Sequence, residues 1–378
     1  MTITKEQVLA SLAGVKSPQG APLPQTGKLS EIVAGDGKVF FSITVDAGEV
    51  AAWEAVRKRA EEVVRALPGV TSALVALTAE RKAGAAPARA PQPGAAHGAG
   101  PGARPAPRGE TMRGVPGVEA IIAVASGKGG VGKSTTAVNL ALGLSALGLK
   151  TGILDADIYG PSLPKLLAIK EKPQTIGGTR LKPITRYGLS VMSIGFLIDE
   201  ETPMIWRGPM VISALTQMLR EVEWGTLDVM VVDMPPGTGD AQLTMAQQVP
   251  LKGAVIVSTP QDLALVDARR GIAMFKRVNV PVLGIVENMS YFLCPECGTR
   301  SDIFGHGGAR HEAERLGVPF LGEVPLHMTI RERSDAGLPV VATEPDGAHA
   351  KIYRDIAANV RDGLKGAGRA APRIVIET

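Results

Sequence analysis

Gly127-Lys128-Gly129-Gly130-Val131-Gly132-Lys133-Ser134 is the stretch of sequence that decides the fold. It matches the pattern G-x-x-x-x-G-K-[ST] between an apolar, strand-like run at 120–126 and a segment with helical spacing at 134–147. Its glycines let the backbone curl so that successive N–H groups face phosphate oxygens, and the following helix adds its positive N-terminal end. The stretch therefore predicts a phosphate-binding P-loop.

The P-loop pattern predicts which residues contact ATP. Lys133 should reach the β- and γ-phosphates, where it also acts in catalysis, and the Ser134 hydroxyl should bind Mg²⁺. The residues predicted to contact the nucleotide in this motif and directly after it are Gly127, Lys128, Gly129, Gly130, Val131, Gly132, Lys133, Ser134 and Thr135.

The rest of the chain after the P-loop alternates between strand-like and helix-like segments. The apolar runs lie at 120–126, 151–155, 229–233, 254–258 and 282–287, and the segments with helical periodicity at 134–147, 209–222, 263–278 and 348–364. Near-continuous apolar strands alternating with helices indicate an α/β fold, with a mostly parallel sheet covered by helices on both faces. Ligands of such a sheet bind at the carboxyl ends of its strands.

Three aspartates follow strands of the predicted sheet and are candidate site residues. Asp233 ends an apolar strand in the Walker B manner, and Asp155 ends the second strand. We expect both to hold Mg²⁺, partly through water, together with Ser134. Asp157, two residues beyond Asp155, is the candidate for polarising the attacking water. A lone aspartate at a strand end is more often a turn or cap residue, but three that converge on one phosphate site favour function.

The chain of 378 residues divides by composition into four parts. We expect a small α+β domain at 1–80, a linker at 81–114, the ATPase domain at 115–367 and a C-terminal tail at 368–378. Of the 27 residues from 83 to 109, 22 are Ala, Gly or Pro, so this stretch lacks the large apolar side chains needed to offset its ordering entropy. It predicts a flexible linker, with an ordered proline-rich arm as the alternative.

Charge and apolar content exclude several classes of partner. The net charge is only +4, much of it in the linker, which argues against nucleic-acid binding. No apolar run approaches the ~20 residues that span a bilayer, and the N-terminus lacks the apolar core of a signal peptide. We therefore expect a soluble, cytoplasmic protein that binds neither nucleic acid nor membrane.

The chain has two cysteines, Cys294 and Cys297, in a C-x-x-C motif. A thioredoxin-like pair would start a helix, whereas Pro295 and Gly298 favour a knuckle-like turn. A zinc ribbon or an iron–sulfur cluster needs about four thiolates, and a twofold dimer would supply the missing pair in either case. His306 is a further possible ligand, although a loop or packing role is more common for such a histidine. Two inert thiols remain an alternative.

Lys128 makes the P-loop resemble the deviant Walker A loop of the MinD/ParA and nitrogenase-iron-protein class. That resemblance implies an ATP-driven homodimer in which Lys128 contacts the nucleotide of the partner subunit and acts in catalysis. Together with the P-loop and the cysteines, three further motifs resemble the Mrp family of iron–sulfur cluster carrier ATPases. These motifs are D-A-D-I-Y-G-P-S from 155, D-M-P-P-G-T-G-D from 233 and E-N-M-S from 287.

The Mrp resemblance implies a function and several site roles. A transient 4Fe–4S cluster would bridge two subunits through Cys294 and Cys297 and pass to apo-proteins, with an assembly scaffold as a further partner. Asn288 would contact adenine. Residues 3–78 look like the iron–sulfur assembly domain often fused to such carriers, but lack its metal-associated cysteine, which favours partner docking. The alternative function is a MinD/ParA-type positioning or partition switch without metal.

Overall fold

The structure is a computed structural model of the chain. It describes residues 3–30, 32–35, 37–46, 48–70, 72–80, 114–177, 180–197 and 208–367. The Ala/Gly/Pro-rich stretch and the C-terminal tail lie outside the described residues. The chain falls into two compact units, Met1–Arg113 and Gly114–Thr378.

The N-terminal unit is a small α+β fold. Its elements are α1 (Lys5–Leu12), β1 (Val33–Gly35), β2 (Lys38–Asp46), α2 (Val50–Arg65) and β3 (Ser72–Glu80). The sheet order is β1-β2-β3, with β1 antiparallel and β3 parallel to β2. Because α2 is amphipathic, it buries Trp53, which belongs to the same hydrophobic core as Phe41 and Ile43 of β2.

The larger unit contains the remaining elements. They are β4 (Val118–Ala125), α3 (Lys133–Ala146), β5 (Thr151–Asp155), α4 (Leu163–Leu166), β6 (Thr175–Ile176), β7 (Arg180–Leu181), β8 (Ile184–Arg186), β9 (Leu189–Ser193), α5 (Gly208–Arg220), β10 (Leu227–Asp233), α6 (Asp240–Gln248), β11 (Gly253–Ser258), α7 (Asp262–Arg277), β12 (Val282–Leu293), β13 (Arg300–Ser301), α8 (Gly308–Leu316), β14 (Phe320–Leu326), α9 (Met328–Asp335), α10 (Val340–Thr343) and α11 (Ala348–Ala367).

A mostly parallel sheet forms the centre of this unit. Its order is β13-β12-β11-β4-β10-β5-β9-β8, with β14 paired to β12. Only β13 and β8 run antiparallel to their neighbours among these described strands. Strands β5 and β11 are buried along their whole length, as strands are when helices cover both faces of a sheet. The predicted fold class is confirmed.

The order of the strands brings the predicted site residues together. β4, which carries the P-loop at its carboxyl end, lies between β11 and β10, and β5 follows β10. The register of the parallel strands places Asp233 of β10 directly opposite Asp155 of β5. This arrangement gathers the ends of four strands beside the phosphate-binding loop.

Candidate functional site

Two glycines of the P-loop adopt conformations that other residues rarely take. Gly130 and Gly132 both have φ +79°, in the left-handed region. A Cβ at Gly132 would lie 2.1 Å from the side-chain nitrogen of Asn288. A Cβ at Gly127 would lie 2.3 Å from the backbone of Asp267 in α7. The loop is therefore closely packed against both β12 and α7.

A cavity of about 420 Å³ opens above this loop. Its lining residues are Ser126, Lys128, Gly129, Gly130, Gly132, Lys133, Ser134, Thr135, Asp157, Pro161, Ser162, Lys165, Leu166 and Pro236. Most of the residues predicted to contact the nucleotide are among them. Gly127 packs on α7 and Val131 is buried, so these two residues shape the loop from behind.

Lys133 is buried at the base of this cavity, where carboxylates neutralise its charge. Its ammonium group lies 2.5 Å from Asp233 Oδ1 and 3.9 Å from Asp157 Oδ2. It also contacts the Ser134 hydroxyl at 3.2 Å. A buried lysine is stable only when paired, so these contacts explain how the charge of the predicted phosphate-binding residue is accommodated in the protein interior.

The carboxylate of Asp233 offers an oxygen to a cation. Asp233 is fully buried, and its Oδ2 atom has no hydrogen-bond partner among the described residues. An anionic oxygen left unpaired in the protein interior is costly unless a ligand satisfies it. Asp233 lies in the same cluster as the Ser134 hydroxyl, and carboxylate and hydroxyl oxygens are the donors that Mg²⁺ prefers. The residues present therefore fit the predicted magnesium ion.

Asp155 organises the loop that follows β5. Its Oδ2 accepts hydrogen bonds from the Ser193 hydroxyl at 3.0 Å and from the backbone N–H groups of Ser162 at 2.9 Å and Leu163 at 3.1 Å. Burial, and secondly the negative charge of Asp233, raise the pKa of Asp155 to about 7. Its predicted role as a magnesium ligand stays a prediction, and the structure adds a role in fixing this loop.

Asp157 borders the cavity, as expected of a residue that acts on the attacking water. Burial raises the pKa of its carboxyl group, while the nearby Lys133 ammonium opposes that shift. Lys128 also lines the cavity and is partly exposed. The positions of both residues are compatible with their predicted roles, which remain predictions.

Asn288 supports the P-loop directly. Its side-chain amide donates a hydrogen bond of 2.8 Å to the Val131 carbonyl, across 157 residues of sequence. Its predicted contact with adenine stays a prediction. Met289, the next residue, has φ +54°, and the pairing of β12 with β14 shifts register just beyond it. The strand that touches the P-loop is thus irregular before it continues to the cysteines.

The two cysteines lie at the tip of the hairpin formed by β12 and β13. The backbone N–H of Cys294 donates to the Thr299 carbonyl at 3.0 Å, and that of Gly298 donates to the Cys294 carbonyl at 2.8 Å. Gly298 has φ +70°. This geometry is the knuckle-like turn predicted from Pro295 and Gly298, and it differs from the helix start of a thioredoxin-like pair.

The thiols are accessible at this tip. Cys297 is exposed and Cys294 is partly exposed. Hydrogen bonding with Thr299, including a contact of 3.1 Å to its hydroxyl, lowers the pKa of Cys297. Within the described residues, no group of three or more His, Cys, Asp or Glu side chains is arranged to hold a metal. One chain therefore presents two thiol ligands.

Several cavity residues were not predicted to contact the nucleotide. Ser126, Pro161, Ser162, Lys165, Leu166 and Pro236 line the cavity but were not among the predicted nucleotide contacts. Lys165 belongs to the short helix α4, which follows the loop after β5. Their place in the sequence could have predicted this, because residues that follow the carboxyl ends of neighbouring parallel strands meet at one edge of the sheet.

The site and the sheet define the class of protein. A phosphate loop at the end of a central parallel strand, with a buried lysine and an aspartate from the next strand, is the site of a P-loop NTPase. The sequence model of the family described as NUBPL iron-transfer P-loop NTPase matches residues 117–361. The chain belongs to this family, and the predicted resemblance to iron–sulfur cluster carriers is confirmed.

Individual relatives agree with this assignment. The chain is 56% identical over 248 residues to an iron–sulfur cluster transfer protein of Dictyostelium discoideum, covering 65% of this chain and 77% of that protein. It is 53% identical over 266 residues to the iron–sulfur cluster carrier protein of Escherichia coli strain K12, covering 70% of this chain and 72% of that protein. Both are named for cluster transport.

A solved structure and a second family match complete the comparison. A nucleotide-binding protein of Archaeoglobus fulgidus in complex with ADP superposes with a TM-score of 0.55 and 40% identity, covering 62% of this chain and 91% of that one. Residues 5–75 match the model described as iron–sulfur cluster assembly protein.

Among the described residues, no helix is both long and apolar enough to cross a membrane.

Proposed function

We propose that the protein binds and hydrolyses ATP and carries a 4Fe–4S cluster, shared between two subunits, for transfer to apo-proteins. The observation that carries this proposal is the hairpin with two accessible thiols, Cys294 and Cys297. A cluster of this type is generally held by four thiolates, and one chain offers two. A twofold axis beside the hairpin completes the set.

Exposed apolar side chains support pairing with a second copy at this edge. Tyr159, Leu263, Ile303 and Met328 are each more than half exposed. They follow β5, β11, β13 and β14, at or beyond the sheet edge that carries the P-loop. Isolated exposed apolar residues are common, but several large ones at one edge are typical of an interaction surface. A homodimer that meets at this edge would cover them.

The cluster of charges at Lys133 supports ATP as the substrate. The ammonium group would exchange Asp233 for the β- and γ-phosphates, which frees that carboxylate. Ser134, Asp155 and Asp233 would then hold Mg²⁺, directly or through water, and the bound ion would neutralise charge on these phosphates. Asp157 would orient the attacking water, and Lys128 of each subunit would stabilise the transferring phosphoryl group bound to the other.

The test of this function is anaerobic reconstitution of the full-length protein with iron and sulfide. We expect the broad visible absorption band that is typical of 4Fe–4S clusters and an iron content of about four atoms per two chains. The same preparation should hydrolyse ATP. Native mass spectrometry should place the cluster on the dimer. Zinc at the cysteines without iron would contradict cluster transport. A protein that takes up no metal would also contradict it and would favour a MinD/ParA-type switch without metal.

We also propose that the N-terminal unit docks partners and takes no part in the chemistry. Deleting residues 1–113 should leave cluster content and ATP turnover within about twofold, because the proposed nucleotide and thiol ligands all belong to the second unit. Transfer to an apo-acceptor should slow, since a tethered docking domain raises the effective concentration of its partner.

The comparison of full-length and truncated protein measures all three quantities. If the truncated protein loses its cluster or its ATPase activity, the N-terminal unit belongs to the catalytic core. If transfer to each of several apo-acceptors is unchanged, the docking role is wrong.

A further inference from the structure

We infer that Arg300 is a positioning residue that holds the Cys294–Cys297 hairpin in place for a cluster shared between two subunits. This inference rests on the proposed function and adds a residue to which none of the recognised motifs gives a role. Arg300 opens β13, three residues beyond Cys297, and pairs with Leu293 in the register of the hairpin.

The hairpin has little backbone support of its own. β13 contains two residues, and its register with β12 consists of Phe292 with Ser301 and Leu293 with Arg300. Phe292 still pairs with Leu326 of β14, but beyond it the tip consists of two strands alone, and a two-stranded ribbon is only marginally stable in water. The orientation of the thiols therefore depends on the side chains at the base of the hairpin.

The guanidinium group of Arg300 provides that support through several contacts. It stacks on the ring of Tyr291 in β12, with 4.1 Å between the guanidinium carbon and the ring centre. Its Nε donates to Asp302 at 3.0 Å, and its Nη2 lies 2.9 Å from His306 Nδ1 and 3.5 Å from Glu323 of β14. One side chain thus joins both strands of the hairpin, the following loop and the adjacent strand of the main sheet.

The planar, multiply donating group of arginine suits this role. A guanidinium can stack on an aromatic ring while its edge donates to several acceptors, whereas an ammonium group cannot do both with the same geometry. Single ion pairs at partly exposed positions contribute little, so the support comes from the stacking and the several acceptors together.

The orientation of the thiols affects a cluster shared between two subunits more than it would affect a cluster held by one chain. A shared cluster needs both hairpins to present their thiols at the same time. A substitution that makes the hairpin more mobile therefore affects both pairs of thiols in the dimer. Arg300 also adds a positive charge near a cluster that carries net negative charge when held by four thiolates, and nearby charge influences the stability and reduction potential of such clusters.

The matched control for Arg300 is Arg310. It has the same charge, contacts the same Glu323 and stacks on an aromatic ring, Phe320, at 4.3 Å, but it lies on α8 outside the hairpin. Full-length wild type, Arg300→Ala, Arg300→Lys and Arg310→Ala are compared in two measurements. The first is amide hydrogen exchange of residues 292–301 in the cluster-free protein. The second is the rate of cluster loss to an iron chelator, with the electron paramagnetic resonance spectrum of the reduced cluster.

We expect Arg300→Ala to raise amide exchange in the hairpin and to speed cluster loss at least fivefold, with a changed spectrum. Arg310→Ala should match wild type within twofold in both measurements. Arg300→Lys should restore less than half of the difference between Arg300→Ala and wild type. An Arg300→Ala protein that equals wild type in both measurements overturns the inference, as does full recovery by lysine, which would assign the effect to charge. A wild type that takes up no cluster contradicts the proposed function instead, while the exchange experiment still tests the support of the hairpin.

Discussion

Lys133→Ala should weaken Mg-ATP binding about ten- to a hundredfold, because one charge-assisted contact of ~1.5–3 kcal/mol is lost from a loop built around it. The same change should destabilise the nucleotide-free protein. The Lys133 ammonium contacts Asp233 and approaches Asp157, and its removal leaves carboxylates buried without a counter-charge. Breaking a buried pair in this way typically costs about 3–5 kcal/mol. Titration with a fluorescent ATP analogue and denaturant unfolding measure the two effects.

Two control variants separate binding from folding and from catalysis. The double variant Lys133→Ala/Asp233→Asn should recover much of the lost stability, since it removes the unpaired charge of Asp233, but none of the nucleotide affinity. Lys128→Ala should keep the affinity within about threefold and lower ATP turnover, as expected of a residue that acts on the partner's nucleotide in the transition state. If affinity falls equally in Lys128→Ala and Lys133→Ala, the proposed role of Lys128 across the dimer is wrong.

Replacing either Cys294 or Cys297 by serine should abolish the cluster, with iron content falling at least tenfold after reconstitution. In a dimer that shares one cluster, a single substitution removes two of the four thiolates at once. Binding of ATP should stay within about twofold, because neither cysteine lines the nucleotide cavity. Iron and sulfide analysis, with the visible spectrum, gives the first result, and nucleotide titration gives the second.

The matched control for the cysteine variants is Thr299→Ala, which removes the hydroxyl partner of Cys297 but no metal ligand. It should retain most of the cluster. A mixed dimer of wild-type and doubly substituted chains should hold no stable cluster, since it has only two thiols. A full cluster in that mixed dimer would show that one chain suffices and would contradict the shared site.

Local sequence determined the class of the fold and the chemistry of its loop. A P-loop of eight residues between a strand and a helix carries its own signal, because its glycines, lysine and serine act through backbone curvature and direct contact with phosphate. Apolar periodicity placed the main elements well: the predicted helix at 263–278 is observed at Asp262–Arg277. Periodicity does not define the strands at the β12–β14 side of the sheet. The strand predicted at 282–287 extends to Leu293, and β14 was not predicted, since its run F-L-G-E-V-P-L mixes apolar, Gly, Glu and Pro residues.

The tertiary structure alone decided which distant side chains meet. Lys133 reaches Asp233 across 100 residues because β4 and β10 are parallel neighbours that end at the same edge. Asn288 lies beneath the P-loop because β12 passes close to it, and the position of Arg300 between Tyr291 and Glu323 depends on β14 joining the sheet beside β12. Such partners are chosen by strand order and register, which depend on packing across the whole sheet. Local residue patterns do not determine that packing. They therefore identify the phosphate loop and the cysteine pair but not the groups that hold them in place.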